Sequence, residues 1–315
     1  MKNYKMDSKD IKAIFTQVDK SLGRFKKKEF LKWLQSKSYL ADRYFSALIY
    51  YRCFKIDREL KEDYDHVSVV TGLEGTGKSW FAIQLCSVIS PTFSIEFICY
   101  SLADFVRIIK TAQPGDSILL DEGGQFLYSR QAMSDSNIVT TKLLMLARQK
   151  NLHVCICIPS FYSIDTYIRL HRVKSLYHVP KRGQIKLIIK KGIKLVSKEG
   201  AKYQTLTQVK LPVETFHTGY SAKKFPCFNN LNPDTYKELK AKHLESYIEE
   251  IETDIKAKSK TEPDYISLAE YMKKVSVSRD TLKNWIKQGK LMGKRIGHKW
   301  FIHTDSKIPE KPIFS

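Results

Sequence analysis

The sequence has no uninterrupted apolar run near the roughly 20 residues that a membrane-crossing helix needs. Its opening, MKNYKMDSKD, has no apolar core of a signal peptide. Both absences point to a cytoplasmic chain that does not insert into a membrane. No repeat and no low-complexity tract is evident. Acidic side chains are in short supply, 33 against 54 lysines and arginines, for a net charge of +21. Such an excess is expected of a chain with a polyanionic partner, nucleic acid above all, or of one from a lysine-rich proteome. Cysteines are few, and Cys53, Cys86, Cys99, Cys155, Cys157 and Cys227 lack the paired spacing of a metal site. Most lie in apolar stretches, as buried thiols of a reducing compartment do. Cys155 and Cys157 share one face of a strand, too poor a set for zinc. What the chain does have is 43% hydrophobic residues in 315, ample for one large globular domain and a small one.

Residues 1–65 are lysine-rich with helical periodicity, Ile11, Ile14, Phe15 and Val18 on one face and Phe30, Trp33 and Leu34 on another. A further aromatic-rich helix is expected from Leu40 to Phe54. The stretch reads as a helical extension packed on the next domain, with a separate DNA-binding module as the alternative. From residue 66 short hydrophobic strands alternate with amphipathic helices, the pattern of a parallel sheet covered on its faces. Strands are expected at His66–Thr71, Ser94–Tyr100, Ser117–Asp121, His153–Ile158 and Lys174–Val179. Helices are expected at Lys78–Ile89, Leu102–Ala112, Thr140–Lys150 and Ser163–His171. After Val179 the segment GQIKLIIKKGIKLV alternates apolar and basic residues, predicting a hairpin about a Lys191-Gly192 turn, and Lys202–Val213 also looks β-like. Asn232 and Pro233 open a long charged helix, roughly Asp234–Lys256, as cap and first helical residue. KSKTEP, ending at Pro263, reads as a linker. The organisation expected is a helical extension over 1–65, an α/β core with a β-hairpin extension over 66–230, a charged helix and linker over 231–263, and a small module over 264–315.

Residues 72–79 read GLEGTGKS and match GxxxxGK[ST], a loop that cradles phosphates on its backbone N–H groups. Gly72, Gly75 and Gly77 supply the backbone freedom, and Thr76 lies inside the loop. Lys78 is placed to neutralise the β and γ phosphates of ATP, and the Ser79 hydroxyl to ligate Mg²⁺. The loop follows the apolar strand VSVVT and opens the helix KSWFAIQL, the context such a loop requires. SILLDE supplies the acids: Asp121 for the metal, and Glu122 to orient or deprotonate the attacking water, a solvated loop acid being the alternative for Glu122.

The extra strand between the loop and Asp121 resembles the class of ring-forming ATPases that use a catalytic glutamate. That resemblance implies a P-loop NTPase with a five-stranded parallel sheet in the order 5-1-4-3-2. It also implies a polar γ-phosphate sensor at the end of the next strand, where Ser160 stands; a turn or cap serine before Ser163 fits equally. Arg148, Arg169 and Arg172 are candidates for a cation delivered from a neighbouring subunit, each with the alternative of a surface arginine or a DNA contact. With DEGGQFL, LARQKNLHVCICIPSF and IRLHRV, the span Val67–Val179 resembles P-loop ATPases of viruses, plasmids and integrated elements, distant relatives of FtsK/HerA translocases and DNA-packaging ATPases. A basic hairpin after the fifth strand, in place of a helical lid, separates it from loader-type AAA+ proteins. Pro159-Ser160 departs from the glutamine usual at the fourth strand of the family.

Residues 265–303 resemble the excisionase and MerR-like winged helix-turn-helix. Ser267 is expected to cap a first helix with Leu268, Ala269 and Met272 inward. Ser278 is expected to cap a second helix with Leu282, Trp285 and Ile286 as core, ended by Gly289, and two strands about Gly297-His298 would form the wing. The outward face offers Arg279, Thr281, Lys283, Asn284 and Lys287 to a major groove, and the wing offers Lys294, Arg295, His298 and Lys299 to the backbone or minor groove. A winged helix used only for protein contact is the alternative. Together these features predict an ATP-hydrolysing, DNA-associated, homo-oligomeric motor or remodeller. An ATP-gated DNA-binding switch with slow hydrolysis, or a nucleoside or nucleotide kinase, is the competing expectation.

Overall fold

A computed structural model describes residues 8–22, 27–37, 39–40, 43–122, 135–203, 215–227, 229–259, 265–275, 277–296 and 299–306. By backbone contacts the chain forms two compact units, Met1–Lys240 and Ala241–Ser315. The first unit opens with three helices, α1 (Ser8–Leu22), α2 (Lys27–Ser36) and α3 (Ala47–Lys61). The third starts and ends seven residues later than the Leu40–Phe54 expectation.

A sheet then begins with β1 (His66–Thr71), followed by α4 (Lys78–Ile89), β2 (Ile98–Cys99), α5 (Leu102–Thr111), β3 (Ser117–Leu120), α6 (Asp135–Gln149), β4 (His153–Ile158) and β5 (Val173–His178). After these come β6 (Gln184–Ile189), α7 (Lys190–Tyr203), β7 (Thr215–Gly219) and α8 (Pro233–Ser259). The seven strands lie in the order β2-β3-β4-β1-β5-β6-β7, the first five parallel and the last two antiparallel.

Period-2 alternation sorts the strands onto two cores. Val67 and Val69 of β1 and Val154, Ile156 and Ile158 of β4 pack with α5 and α6, while Val70, Cys155 and Cys157 pack with α4. The aromatic faces of α1 to α3, through Ile14, Phe30, Trp33 and Phe54, join that second core and bury α4 from outside. Phe81, Ile83 and Leu85 are therefore all fully buried in one helix. Lys37 fastens the layer: its buried ammonium donates to the Ile89 carbonyl at the end of α4 and lies over the Trp33 ring. Burial lowers its pKa from the ordinary value to about 8.

Three expectations change. GQIKLIIKKGIKLV does not turn at Lys191-Gly192. β6 ends at Ile189 and α7 begins at once, because Ile193 and Val196, three residues apart, bury against β5, β6 and the Ile168–Arg172 turn. The reversal lies earlier, between β5 and β6, where Gly183 takes a left-handed φ of 83° that suits glycine. Among the described residues the sheet has seven strands in place of five. Ser94–Tyr100 is a short 3₁₀ turn, Ile95–Phe97, capped by Ser94, and only Ile98 and Cys99 pair with β3 at the sheet edge. Ser163–His171 is not one helix. A 3₁₀ turn at Phe161–Ser163 and a wide turn at Ile168–Arg172 replace it, and the Asp165 carboxylate accepts the Tyr167 N–H between them. The β-like stretch expected at Lys202–Val213 lies mostly outside the described residues; Lys202 and Tyr203 end α7. The linker ending at Pro263 also lies outside them, apart from Lys258 and Ser259, which end α8.

At the start of the central strands a polar layer is buried. His153 of β4 bridges the Ser117 and Ser68 hydroxyls at 2.9 and 3.0 Å, and His66 of β1 bridges Glu59 and Ser175 at 2.7 and 2.9 Å. Burial holds His66 at about 4, His178 at about 4 and His153 well below the usual histidine range. A histidine depressed in the fold takes up its proton first in the unfolded chain. Stability is therefore intact above about pH 6.5, the unfolded value, and is lost as pH falls toward about 4. The midpoint of thermal unfolding is expected to drop by about 5 °C or more between pH 7 and pH 5. A midpoint that stays level over this interval contradicts the buried neutral state.

Candidate functional site

The loop after β1 leaves the sheet where β1, β4 and β5 run side by side. The Gly72 N–H donates to the Pro159 carbonyl at the end of β4, and the Val179 N–H after β5 donates to the Thr71 carbonyl. Gly72 has a φ of 149°, and a Cβ there would stand 2.4 Å from the Val179 oxygen, so no side chain fits. The loop folds on its own Leu73 carbonyl, which accepts from the Thr76 hydroxyl at 2.7 Å and the Lys78 ammonium at 2.8 Å. Gly77, with a φ of 90°, then opens α4. It has no side chain to satisfy the first-turn N–H groups, and these are the donors that an anion would use.

Two acids follow β3. The Asp121 N–H donates to Cys99 at the end of β2, which fixes the carboxylate under α4 with no exposure to solvent. Its Oδ1 accepts from the Ser79 hydroxyl at 2.8 Å, joining the phosphate-type loop to the acid pair across 42 residues of sequence. Its Oδ2 accepts from the Tyr236 hydroxyl, also at 2.8 Å. Glu122 is exposed, takes a left-handed φ of 54°, and forms an ion pair with Lys240 at 2.7 Å. Tyr236 and Lys240 stand in the first two turns of α8, whose start is capped by the Asn232 side chain accepting from the Asp234 and Thr235 N–H groups. Burial raises the Tyr236 phenol well above its ordinary pKa, with Asp121 adding to the effect, so it stays a donor.

This donor set fits a magnesium nucleotide. Glycine-lined backbone and Lys78 would hold phosphate oxygens, and the Ser79 hydroxyl beside the Asp121 carboxylate is an oxygen pair of the kind Mg²⁺ takes.

The structure brings Gly72, Gly75, Thr76, Gly77, Lys78, Ser79, Asp121 and Glu122 together. It does not bring the three arginines into that group. Arg172 donates to the buried Asp65 carboxylate at 2.6 Å and to the Leu144 carbonyl. Asp65 precedes β1, about 20 Å of strand from the loop. Arg148 is exposed in the last turn of α6, on the approach to the start of β4. Arg169 is buried, stacks over the Phe161 and Tyr162 rings at 5.8 and 5.4 Å, and donates to the Thr166 hydroxyl. Ser160 follows β4 beside the start of the loop, and its hydroxyl accepts from the Tyr162 N–H as the cap of the turn.

Four contacts in this site were not anticipated. The Tyr220 hydroxyl donates to the Thr76 carbonyl, and Arg182, in the β5–β6 turn, donates to the Gly75 carbonyl at 2.9 Å. Tyr236 and Lys240 are the others. All four come from chain beyond β5, and only the i, i+4 spacing of the last pair on an already expected helix carried any hint of a shared face.

The second unit, by itself, contains β8 (Tyr265–Ser267), α9 (Leu268–Val275), α10 (Arg279–Lys287), β9 (Gly293–Ile296) and β10 (Lys299–His303), with a sheet in the order β8-β10-β9. Ser267 and Ser278 accept from the Glu270 and Thr281 N–H groups as helix caps. Leu268, Tyr271, Leu282, Leu291 and Ile302 form the core. Tyr271 takes the inward place expected of Ala269, which is exposed, because an i, i+3 step from Leu268 stays on the buried face. Arg279, Asn284, Lys287 and Arg295 are exposed, and Lys283 pairs with Asp280 at 3.8 Å. Thr281 shares a hydrogen bond with Ser278, and Lys294 lies over the Tyr265 ring at 4.2 Å. Lys299 begins β10, and His298 lies outside the described residues.

No family model matches the chain, and no curated protein does. Among solved structures the chain is similar to the N-terminal domain of zonular occludens toxin from Neisseria meningitidis. The identity is 14% and the TM-score 0.32, over 51% of this chain and 96% of that one. It is also similar to the genome packaging NTPase B204 from Sulfolobus turreted icosahedral virus 2, solved with ATP-gammaS. There the identity is 12% and the TM-score 0.29, over 41% of this chain and 93% of that one.

Gly72→Ala is expected to destabilise the first unit by about 1–3 kcal/mol, since a backbone carbonyl cannot swing aside as a side chain can. Denaturant unfolding measures this, and a change under about 0.5 kcal/mol contradicts the close approach.

Proposed function

We propose that this chain is a P-loop ATPase that works on DNA, as a motor or remodeller of a virus, plasmid or integrated element. The observation that supports the reading is the 2.8 Å hydrogen bond from Ser79 to Asp121, which joins the loop to the carboxylate preceding Glu122. In this reading the N–H groups of Gly75 to Ser79 hold the phosphates in line. Lys78 leaves the Leu73 carbonyl to neutralise the terminal phosphoryl oxygens. Magnesium, when bound beside Ser79 and Asp121, supplies positive charge to the phosphate oxygens as negative charge builds on them. Glu122 orients the attacking water and takes its proton. Arg182, on the Gly75 carbonyl, is a cation of the same chain already at the loop and needs no delivery from a neighbour.

DNA association is supported by the charge of +21 and by two basic surfaces. One is the exposed Arg279, Asn284, Lys287 and Arg295 of the second unit. The other is a cavity of about 400 Å³ in the first, lined by Arg52, Lys174, Lys190 and Lys191 with Glu59 and Tyr64. A homo-oligomer, with the exposed Arg148 reaching a neighbour's site, belongs to the motor reading. The ion pair of Lys240 with Glu122 favours a second reading, an ATP-gated switch whose hydrolysis is slow.

Lys78→Ala is expected to lower ATP turnover at least 100-fold, and Glu122→Gln to slow it about 10²- to 10⁴-fold while nucleotide still binds. Duplex DNA should raise wild-type turnover. Equal rates with and without DNA rule out the motor, and undiminished turnover in Lys78→Ala rules out the site. In DNA binding, Lys287→Ala should reduce the slope of log affinity against log salt by about 1; an unchanged slope argues against that helix as the contact.

A further inference from the structure

We propose that the first two turns of α8 are a brake on the acid pair, with Tyr236 holding Asp121 and Lys240 holding Glu122. This rests on the ATPase reading above and adds its regulation.

Tyr236 and Lys240 are four residues apart and so lie on one face of α8. Asp121 and Glu122 are adjacent, one buried beneath α4 and the other exposed, and the single helix face meets both. Each contact uses an oxygen that hydrolysis requires. Asp121 Oδ1 accepts from Ser79 and Oδ2 from the Tyr236 hydroxyl, with no exposure to solvent, so both oxygens are engaged while Tyr236 stays. The Lys240 ammonium takes a Glu122 oxygen that a water would approach.

The brake is built to be moved. Tyr236 is buried and packs on the Phe225 ring at 6.0 Å, so it leaves Asp121 only as α8 itself shifts. The Lys240 pair is half-exposed, the class of ion pair that forms and breaks at small cost. Because α8 is one helix from Pro233 to Ser259, a rotation or pull along it acts on both acids at once. The segment leading into it also grips the nucleotide helix. Trp80 and Gln84 of α4 donate to the Lys224 carbonyl, and Gln84 also to that of Ser221. Withdrawal of α8 is therefore a change that α4 would register.

The alternative is a staple, in which the same two residues hold the acids in productive geometry. The two differ in sign. Steady-state ATP turnover of the full chain is compared among wild type, Lys240→Met, Lys240→Arg and Tyr236→Phe. A brake predicts a rise of about two- to fivefold in Lys240→Met, as the loss of a half-exposed ion pair allows, with Lys240→Arg near wild type. A fall in Lys240→Met overturns the brake in favour of the staple, and no change overturns it outright.

Two readouts do not need turnover. Manganese affinity, measured by electron paramagnetic resonance with ATPγS present, should tighten about threefold in Tyr236→Phe. Hydrogen–deuterium exchange over residues 231–243 of the wild type should quicken when manganese and ATPγS are added. Unchanged manganese affinity together with unchanged exchange overturns the brake. If no variant hydrolyses ATP yet ATPγS binds, the ATPase reading fails by itself, and these two measurements alone decide the brake.

Discussion

The hydrogen bond from Ser79 to Asp121 is the contact on which the rest of the first unit converges. It joins the start of α4 to the end of β3, and it forms only if β3, β4 and β1 lie side by side with α4 on one face. That in turn needs Val67 and Val69 to face one core while Val70, Cys155 and Cys157 face the other. Gly72 permits it locally, because a side chain there would collide with the chain leaving β5. A buried carboxylate without donors is costly, and the Ser79 and Tyr236 hydroxyls both donate to Asp121.

The two ends of the parallel strands divide polar labour. At their carboxyl ends lie the loop and the acids. At their amino ends lie the His66 and His153 clusters and the Asp65 carboxylate with Arg172 and Lys174. This division explains why IRLHRV could not be read from its composition. Arg172 belongs to a buried ion pair at the amino end, and Arg169 to a stack on aromatic rings. An arginine in a string looks the same whether it will meet a phosphate, a carboxylate or a phenyl face. Among the described residues no helix is long and apolar enough to cross a membrane.

Local pattern was legible where the chain's own neighbours decide it. VSVVT followed by GLEGTGKS placed a strand, a glycine loop and a helix, and SILLDE placed a buried strand ending at acids, because backbone freedom and alternation are properties of adjacent residues. Asn232 and Pro233 marked the start of α8 for the same reason. Reading failed where two periods fit one string. Ile193 and Leu195 continue the alternation of a strand while Ile193 and Val196 share a helix face, and packing against β5, β6 and the Ile168–Arg172 turn chose the helix. It failed again at Ser94–Tyr100, where a strand-like composition met the edge of the sheet and only two residues found a partner.

By itself the sequence determined the phosphate-type loop, its acids, the alternation of strands and helices and the caps of the C-terminal helices, all of them set by residues within a few positions of one another. Tertiary structure alone decided which distant side chains join that site. Tyr220 and Arg182 lie against the loop, and Tyr236 and Lys240 lie on Asp121 and Glu122 from more than a hundred residues away. The physical reason is that spacing along a chain encodes a face but not its partner. The partner is set by how the sheet stacks its strands and where the returning chain can bury its apolar residues.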